Sequence, residues 1–219
     1  MTKIVAIDGP AGSGKSSVSK QVARQLGFGY LDTGAAYRAL AWAVANAKIE
    51  TATNAAGVRV PSLEQFDYSI SLQPDDFWVK VSGVDVTEAI REPEIAKSVS
   101  EVAAIPAVRS FMRTLTRELV SASNLPGVVV EGRDITTVVA PDAENRILLT
   151  ASEEVRLRRR SAELTPEFAK SVEQQVSMRD AKDSKVADFM TPAAGVVLVD
   201  SSDLNFEQTV AAVLDVIRA

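Results

Sequence analysis

Gly9-Pro10-Ala11-Gly12-Ser13-Gly14-Lys15-Ser16 fits the pattern G-x-x-x-x-G-K-[S/T], and no other feature limits so strongly what this chain can become. The apolar run Ile4-Val5-Ala6-Ile7 precedes it, and the helical stripe Val18, Val22, Leu26 follows, with Gly27 placed to end the helix. The spacing therefore predicts strand, loop and helix in that order. Such glycines let successive backbone N–H groups turn inward around phosphate oxygens, and the helix N-terminus adds its partial positive charge. Gly9 to Ser17 are thus expected to cradle a nucleoside triphosphate. Lys15 would bring a mobile cation to the β- and γ-phosphates, and Ser16 a hydroxyl to the Mg²⁺ that accompanies them. A dinucleotide-binding turn would need glycine where Ser17 stands, and the D-x-x-G and N-K-x-D signals of GTPases occur nowhere. What remains is a small kinase or, in second place, a non-catalytic nucleotide-binding regulator.

Composition narrows the chemistry further. The 219 residues include no Cys and no His, which removes zinc sites, iron–sulfur clusters, cysteine nucleophiles and serine–histidine–aspartate triads. Acid–base work would fall to carboxylates, Lys, Tyr or water. A net charge of −5 argues against a general nucleic-acid binder. No apolar stretch approaches the roughly 20 residues that span a bilayer, and Asp8 ends the opening apolar run too early for a signal peptide. The expectation is a cytoplasmic monomer whose partners are small molecules, with no membrane or nucleic-acid partner.

Five short apolar runs stand out: Ile4–Ile7, Tyr30-Leu31, Val128–Val130, Ile147–Leu149 and Val196–Val199. Most are continuous, as in parallel strands covered on both faces. Helical patterns separate them, and Phe206, Val210, Val213, Leu214 and Ile217 form a closing stripe. That alternation predicts an α/β sandwich. Thr51 to Arg91 read differently. Tyr68, Ile70 and Leu72 alternate with polar residues, Pro74-Asp75-Asp76 signals a turn, and Phe77, Val79 and Val81 alternate beyond it. This predicts an antiparallel hairpin in an insert, followed by helices around 94–103 and 107–121.

A kinase needs a second pocket that sets an acceptor oxygen in line with the γ-phosphate. Arg38, Arg109, Arg133, Arg179 and the group Arg156, Arg158, Arg159, Arg160 carry forked guanidinium groups suited to phosphate oxygens and to transition-state charge. Arg133, directly after the third run and beside Gly132, is the most telling. For Arg158 to Arg160, a solvated helix face paired with Glu153 and Glu154 is an equal reading.

The chain as a whole resembles the bacterial cytidylate kinases, the CMP/dCMP branch of the nucleoside monophosphate kinases. The resemblance rests on Ile7–Lys15, Leu31-Asp32-Thr33-Gly34-Ala35-Ala36-Tyr37-Arg38, Asp85-Val86-Thr87 with Ile90-Arg91, Val102–Arg109, Glu131-Gly132-Arg133-Asp134-Ile135, and Arg179-Asp180 with Asp183-Ser184. It implies a three-layer P-loop kinase fold on a central five-stranded parallel sheet. The core would comprise residues 1–32, 127–151 and 191–219, with an NMP-binding region at 33–126 holding the hairpin and a short lid at 152–190. It implies ATP as donor, Mg²⁺ as its companion, and CMP or dCMP as acceptor; the alternative is another P-loop small-molecule kinase, for UMP or a hydroxylated metabolite. Thr33, Tyr37, Arg38 and Arg133 would contact the acceptor, and Ser100, Arg109 and Asp134 its cytosine. Arg179 and Asp183 would approach sugar and phosphates. Arg156 and Arg159 would join the loop in binding ATP, and Lys15, Arg133, Arg156 and Arg179 would stabilise transfer. Thr136 and Ala140 stand where such proteins often have Gly and Phe, and Lys185 follows Asp183-Ser184 where Arg is common two residues on.

Overall fold

The computed structural model describes residues 2–54, 57–162, 180 and 188–219. Arg179, Asp183 and Lys185 lie outside the described residues, as does most of the lid expected over 152–190. The chain divides into two compact units, Met1–Leu31 with Asn124–Ala219, and Asp32–Ser123.

The first unit is built on a five-stranded parallel sheet. Its strands are β1 (Lys3–Asp8), β2 (Gly29–Asp32), β8 (Gly127–Gly132), β9 (Asn145–Thr150) and β10 (Val197–Asp200). Their order is β10-β9-β1-β8-β2, so β1, which leads into the glycine-rich loop, lies in the middle. In β1, β8 and β9 the apolar runs are continuous because both faces are covered: Val5, Ala6 and Ile7, Val128 to Val130, and Ile147 to Leu149 are all buried, whereas at the edge strand β10 Val197 and Leu198 are exposed and only Val199 is buried. Helix α1 (Lys15–Leu26) packs on β8 with Val18 and Val22 inward and ends at Gly27 in a left-handed cap. The last helix, α6 (Phe206–Arg218), packs on α1 and on β9 and β10. Asn205 and Gln208 form a capping box at its start, with reciprocal bonds of 2.8 and 2.9 Å. Val210, Val213 and Leu214 are buried as the stripe predicts. Phe206 is not: at the helix's first position it remains 44% exposed. Helix α5 (Glu153–Ala162) begins with Glu153 and Glu154 and ends near Arg159 and Arg160, an order that complements the helix dipole.

The second unit surrounds α2 (Thr33–Ala45). Asp32 caps this helix by accepting from the Ala35 N–H at 3.1 Å. Ala35, Ala39, Leu40 and Ala43 are fully buried, and their mostly small side chains let α3 (Pro93–Ala103) and α4 (Pro106–Ala122) pack closely. Proline opens both helices, where its missing N–H costs nothing. The expected hairpin is present as β5 (Tyr68–Ile70) against β6 (Val79–Val81), with Tyr68 opposite Val81 and Ile70 opposite Val79. A third strand, β7 (Val84–Asp85), and a separate hairpin, β3 (Thr51–Thr53) with β4 (Arg59–Pro61), add to it.

Candidate functional site

The loop between β1 and α1 is fixed at its start by Asp8. Its buried carboxylate accepts from the Ile135 N–H at 2.9 Å, the Thr136 N–H at 2.8 Å and the Thr136 hydroxyl at 2.7 Å. These donors belong to a π-helical turn, Ile135–Val139, directly after β8 and Arg133. Burial pushes the Asp8 carboxyl above its ordinary 3.8; the Thr136 and Ile135 donors oppose this, and Asp134 nearby reinforces it.

From there the loop lies flat against its neighbours. A side chain on Gly9 would run into the Leu149 carbonyl oxygen of β9. Gly12 adopts φ +76°, and a side chain there would meet the backbone of Arg156 on α5. Ser13 donates its N–H to the Pro10 carbonyl at 3.3 Å, and its buried hydroxyl finds no partner among the described residues. Gly14 is the N-cap of α1 and offers no side chain, so nothing from the cap residue covers the first N–H groups of that helix. Lys15, half-buried, reaches back to 3.5 Å from the Pro10 carbonyl, while Ser16 and Ser17 are exposed. Backbone donors, a helix N-terminus and an ammonium thus share one turn of chain, which is the chemistry of an anion cradle.

Arginines surround this loop. Arg133 donates to the Gly9 carbonyl, and its guanidinium carbon lies 4.5 Å from the Phe189 ring centroid. Arg156 donates to the Ala11 carbonyl at 2.9 Å. Arg159 donates to the Ser13 carbonyl at 3.2 Å and is anchored by Ser201 Oγ at 2.9 Å, the Ser201 carbonyl at 2.9 Å and the Leu204 carbonyl at 3.3 Å. Partial burial, assisted by the Arg158 charge, shifts the Arg159 guanidinium below its ordinary range. With so many backbone partners, Arg159 serves the loop's shape as much as any ligand. Asp180, quoted in the sequence only beside Arg179, proves to sit among these arginines: its carboxylate accepts from Arg156 at 2.6 Å and from the Ala11 N–H at 3.0 Å. The resemblance includes Asp180 within a motif but assigns it no role, and nothing in the sequence ties it to Ala11 or Arg156.

In the second unit, Thr33, Tyr37 and Arg38 all lie on α2, Thr33 buried and the other two half-buried. Arg38 pairs with Asp32 at 2.6 Å. The Tyr68 hydroxyl, out of solvent contact, is raised well above its ordinary 10 by burial and by the Asp32 charge, with Arg38 opposing. Ser100 stands in the last turn of α3 and Arg109 in the first turn of α4, both half-buried. Thus Lys15, Arg133, Arg156 and Arg159 gather at the loop of the first unit, with Asp134 following Arg133. The other described acceptor residues form part of the second unit.

Among the described residues no group of three or more Asp, Glu, His or Cys could cage a metal. An ion there would rely on phosphate oxygens, water and the exposed Ser16 hydroxyl. That donor set suits Mg²⁺, which keeps several waters and favours substrate phosphates. No helix among the described residues is long and apolar enough to cross a membrane.

Comparison with known proteins agrees with this chemistry. The model of the cytidylate kinase family matches residues 5–219. A cytidylate kinase of Cutibacterium acnes is 42% identical over 215 residues, covering 98% of this chain and 95% of that one. Another, from Streptomyces avermitilis, is 43% identical over 217 residues, with 98% and 92% covered. Among solved structures, an uncharacterized protein from Eubacterium ventriosum shares the fold with a TM-score of 0.54 at 10% identity, covering 100% of this chain and 99% of that one.

Proposed function

Because this chain belongs to the cytidylate kinase family and is thus a kinase, we propose that it transfers the γ-phosphoryl group of ATP to CMP or dCMP, giving ADP and CDP or dCDP. The observation that carries this reading is the convergence of Lys15, Arg133 and Arg156 on one loop of backbone donors that opens a helix. Such a set does little covalent chemistry. It positions phosphates and meets the charge that develops on the transferring group.

The acceptor is itself a phosphate monoester whose oxygen is already anionic at neutral pH, so no general base is required. This suits a chain without His. Residues Gly9 to Ser17 would hold the β- and γ-phosphates, with Lys15 following the γ-group as it leaves. Ser16 would hold Mg²⁺, which supplies further neutralisation of phosphate charge when bound. Arg133 and Arg156 would steady donor and acceptor phosphates, joined by Arg179 and Asp183 from outside the described residues. Thr33, Tyr37 and Arg38 would receive the acceptor's phosphate and sugar. Ser100, Arg109 and Asp134 would read its base: a carboxylate accepts from the 4-amino group of cytosine, and a guanidinium donates to N3 and O2. In this reading residues 33–126 bind the monophosphate and residues 152–190 serve as the lid over ATP, excluding water that would otherwise hydrolyse it.

An acceptor screen that follows ADP release with CMP, dCMP, UMP, AMP and GMP tests the reading. Turnover is expected with CMP and dCMP. ATP binding with no ADP release in any arm would point instead to a nucleotide-binding regulator.

A further inference from the structure

Asp180 has no part in the reaction described so far, yet its partners are groups that reaction uses. Its side chain is buried, with Oδ2 accepting from Arg156 Nη1 at 2.6 Å and Oδ1 accepting from the Ala11 N–H at 3.0 Å. Arg133 Nη2 lies 3.5 Å from the same Oδ1. Arg156 Nη1 also donates to the Ala11 carbonyl at 2.9 Å, and Arg133 Nη1 to the Gly9 carbonyl. One carboxylate therefore binds the Ala11 peptide at its N–H, binds the arginine that holds that residue's carbonyl, and reaches a second arginine fixed two residues earlier in the loop. These contacts form a closed net over the first half of the phosphate cradle.

Charge and geometry give this net a purpose. Two guanidinium groups at one loop repel each other. A carboxylate between them offsets the repulsion and takes up only part of the Arg156 fork. Among the described residues Arg156 uses Nη1 alone, so Nη2 and Nε stay available for a phosphate. Arg133 is additionally braced by the Phe189 ring at 4.5 Å, so its plane is set from a second side. A purely structural ion pair would join elements remote from chemistry. Every partner of Asp180 named here is either the loop itself or an arginine assigned to phosphate.

We propose that Asp180 is a positioning residue for phosphoryl transfer, holding Arg133 and Arg156 in register with the Gly9–Ala11 stretch of the loop so that the Arg156 Nη2 and Nε donors and the Arg133 charge face the transferring group. This rests on the kinase reading above, because it acts only through those arginines.

The test is a pair of double-mutant cycles, Asp180→Ala with Arg156→Ala and Asp180→Ala with Arg133→Ala, read as kcat and KM for ATP and CMP together with the thermal midpoint. Asp180→Ala alone should lower kcat by about 10- to 10²-fold, since misplacement of a catalytic group by an ångström costs that much, while both KM values move by less than about threefold. In the Arg156→Ala background, adding Asp180→Ala should cost no more than about threefold further, because the residue it aligns is already gone. Full additivity in both cycles, or an unchanged kcat in Asp180→Ala, would overturn the inference and leave Asp180 as a tie within the fold. If Asp180→Ala does not fold, Asp180→Asn, which keeps the volume and one acceptor oxygen, goes through the same cycles under the same two outcomes. A wild-type protein that releases no ADP with any monophosphate would overturn the kinase reading itself, whereas additive losses in an active enzyme would overturn only the role of Asp180.

Discussion

Replacing Gly12 by alanine should disable the enzyme through backbone geometry alone. Gly12 has φ +76°, a conformation that costs an L-residue about 1–2 kcal/mol. The added Cβ would lie 2.5 Å from the Arg156 carbonyl oxygen and 3.1 Å from its Cβ, and ordinary contact begins only at 3.4 Å. Nothing at that point is the tip of a flexible side chain. Either the loop or α5 must move by an amount approaching ~1 Å, which for groups that align phosphates costs on the order of 10²-fold in rate. Strain and overpacking together should remove about 2–4 kcal/mol of stability. Gly27→Ala is the matched control. Gly27 also has a positive φ, +65°, but an added Cβ there meets nothing within 4 Å. It should lose about 1–2 kcal/mol and keep its turnover. A coupled ADP-release assay gives kcat, and urea denaturation gives stability. Turnover of Gly12→Ala within about threefold of wild type, or an equal loss of activity in Gly27→Ala, would refute a role for this backbone geometry.

Lys15→Ala should lower kcat by on the order of 10²-fold or more, while circular dichroism and the denaturation midpoint stay near wild type, because this ammonium serves a ligand rather than the core; a folded variant with near-wild-type turnover would contradict its role. Thr136→Val tests the Asp8 anchor, whose folded pKa burial holds above the ordinary 3.8 while the Thr136 hydroxyl is the largest influence pulling it down. A raised folded pKa means that the native state holds the proton more tightly than the unfolded chain, so stability falls as pH rises from 3.8 through the folded value. Removing the hydroxyl raises that value further. Thr136→Val should therefore be about 1–2 kcal/mol less stable than wild type at pH 7 and closer to it near pH 4, and an equal deficit at both would refute the linkage.

The parts of this molecule that were legible in its sequence are those fixed by local rules. Parallel strands buried on both faces need continuous apolar runs, and Ile4–Ile7, Val128–Val130 and Ile147–Leu149 all lie within strands. The hairpin at Tyr68–Val81 announced itself by alternation and a turn. Other features depend on partners far away in the chain. Ile135-Thr136-Thr137-Val138-Val139 has the composition of a strand, yet it forms a π-helical turn whose first two N–H groups are claimed by Asp8, 127 and 128 residues earlier. The β3–β4 hairpin has only three residues a side and little buried surface, too short to register as periodicity. Asp180 stands in a motif of the resemblance without a role, since its meaning comes from Ala11, Arg133 and Arg156, which only folding brings to it.

Base choice distinguishes a CMP kinase from other nucleotide kinases. Uracil presents an acceptor at O4 and a donor at N3, so in the proposed reading the Asp134 carboxylate would meet an acceptor and the Arg109 guanidinium a donor, and polar groups left unpaired out of water cost 10²-fold or more in specificity. The measurement is kcat/KM for CMP and for UMP under identical ATP and Mg²⁺, with CDP and UDP quantified as products. The account predicts a CMP preference on the order of 10²-fold or greater, with dCMP also accepted. Equal use of the two pyrimidines, or a preference for UMP, would contradict it.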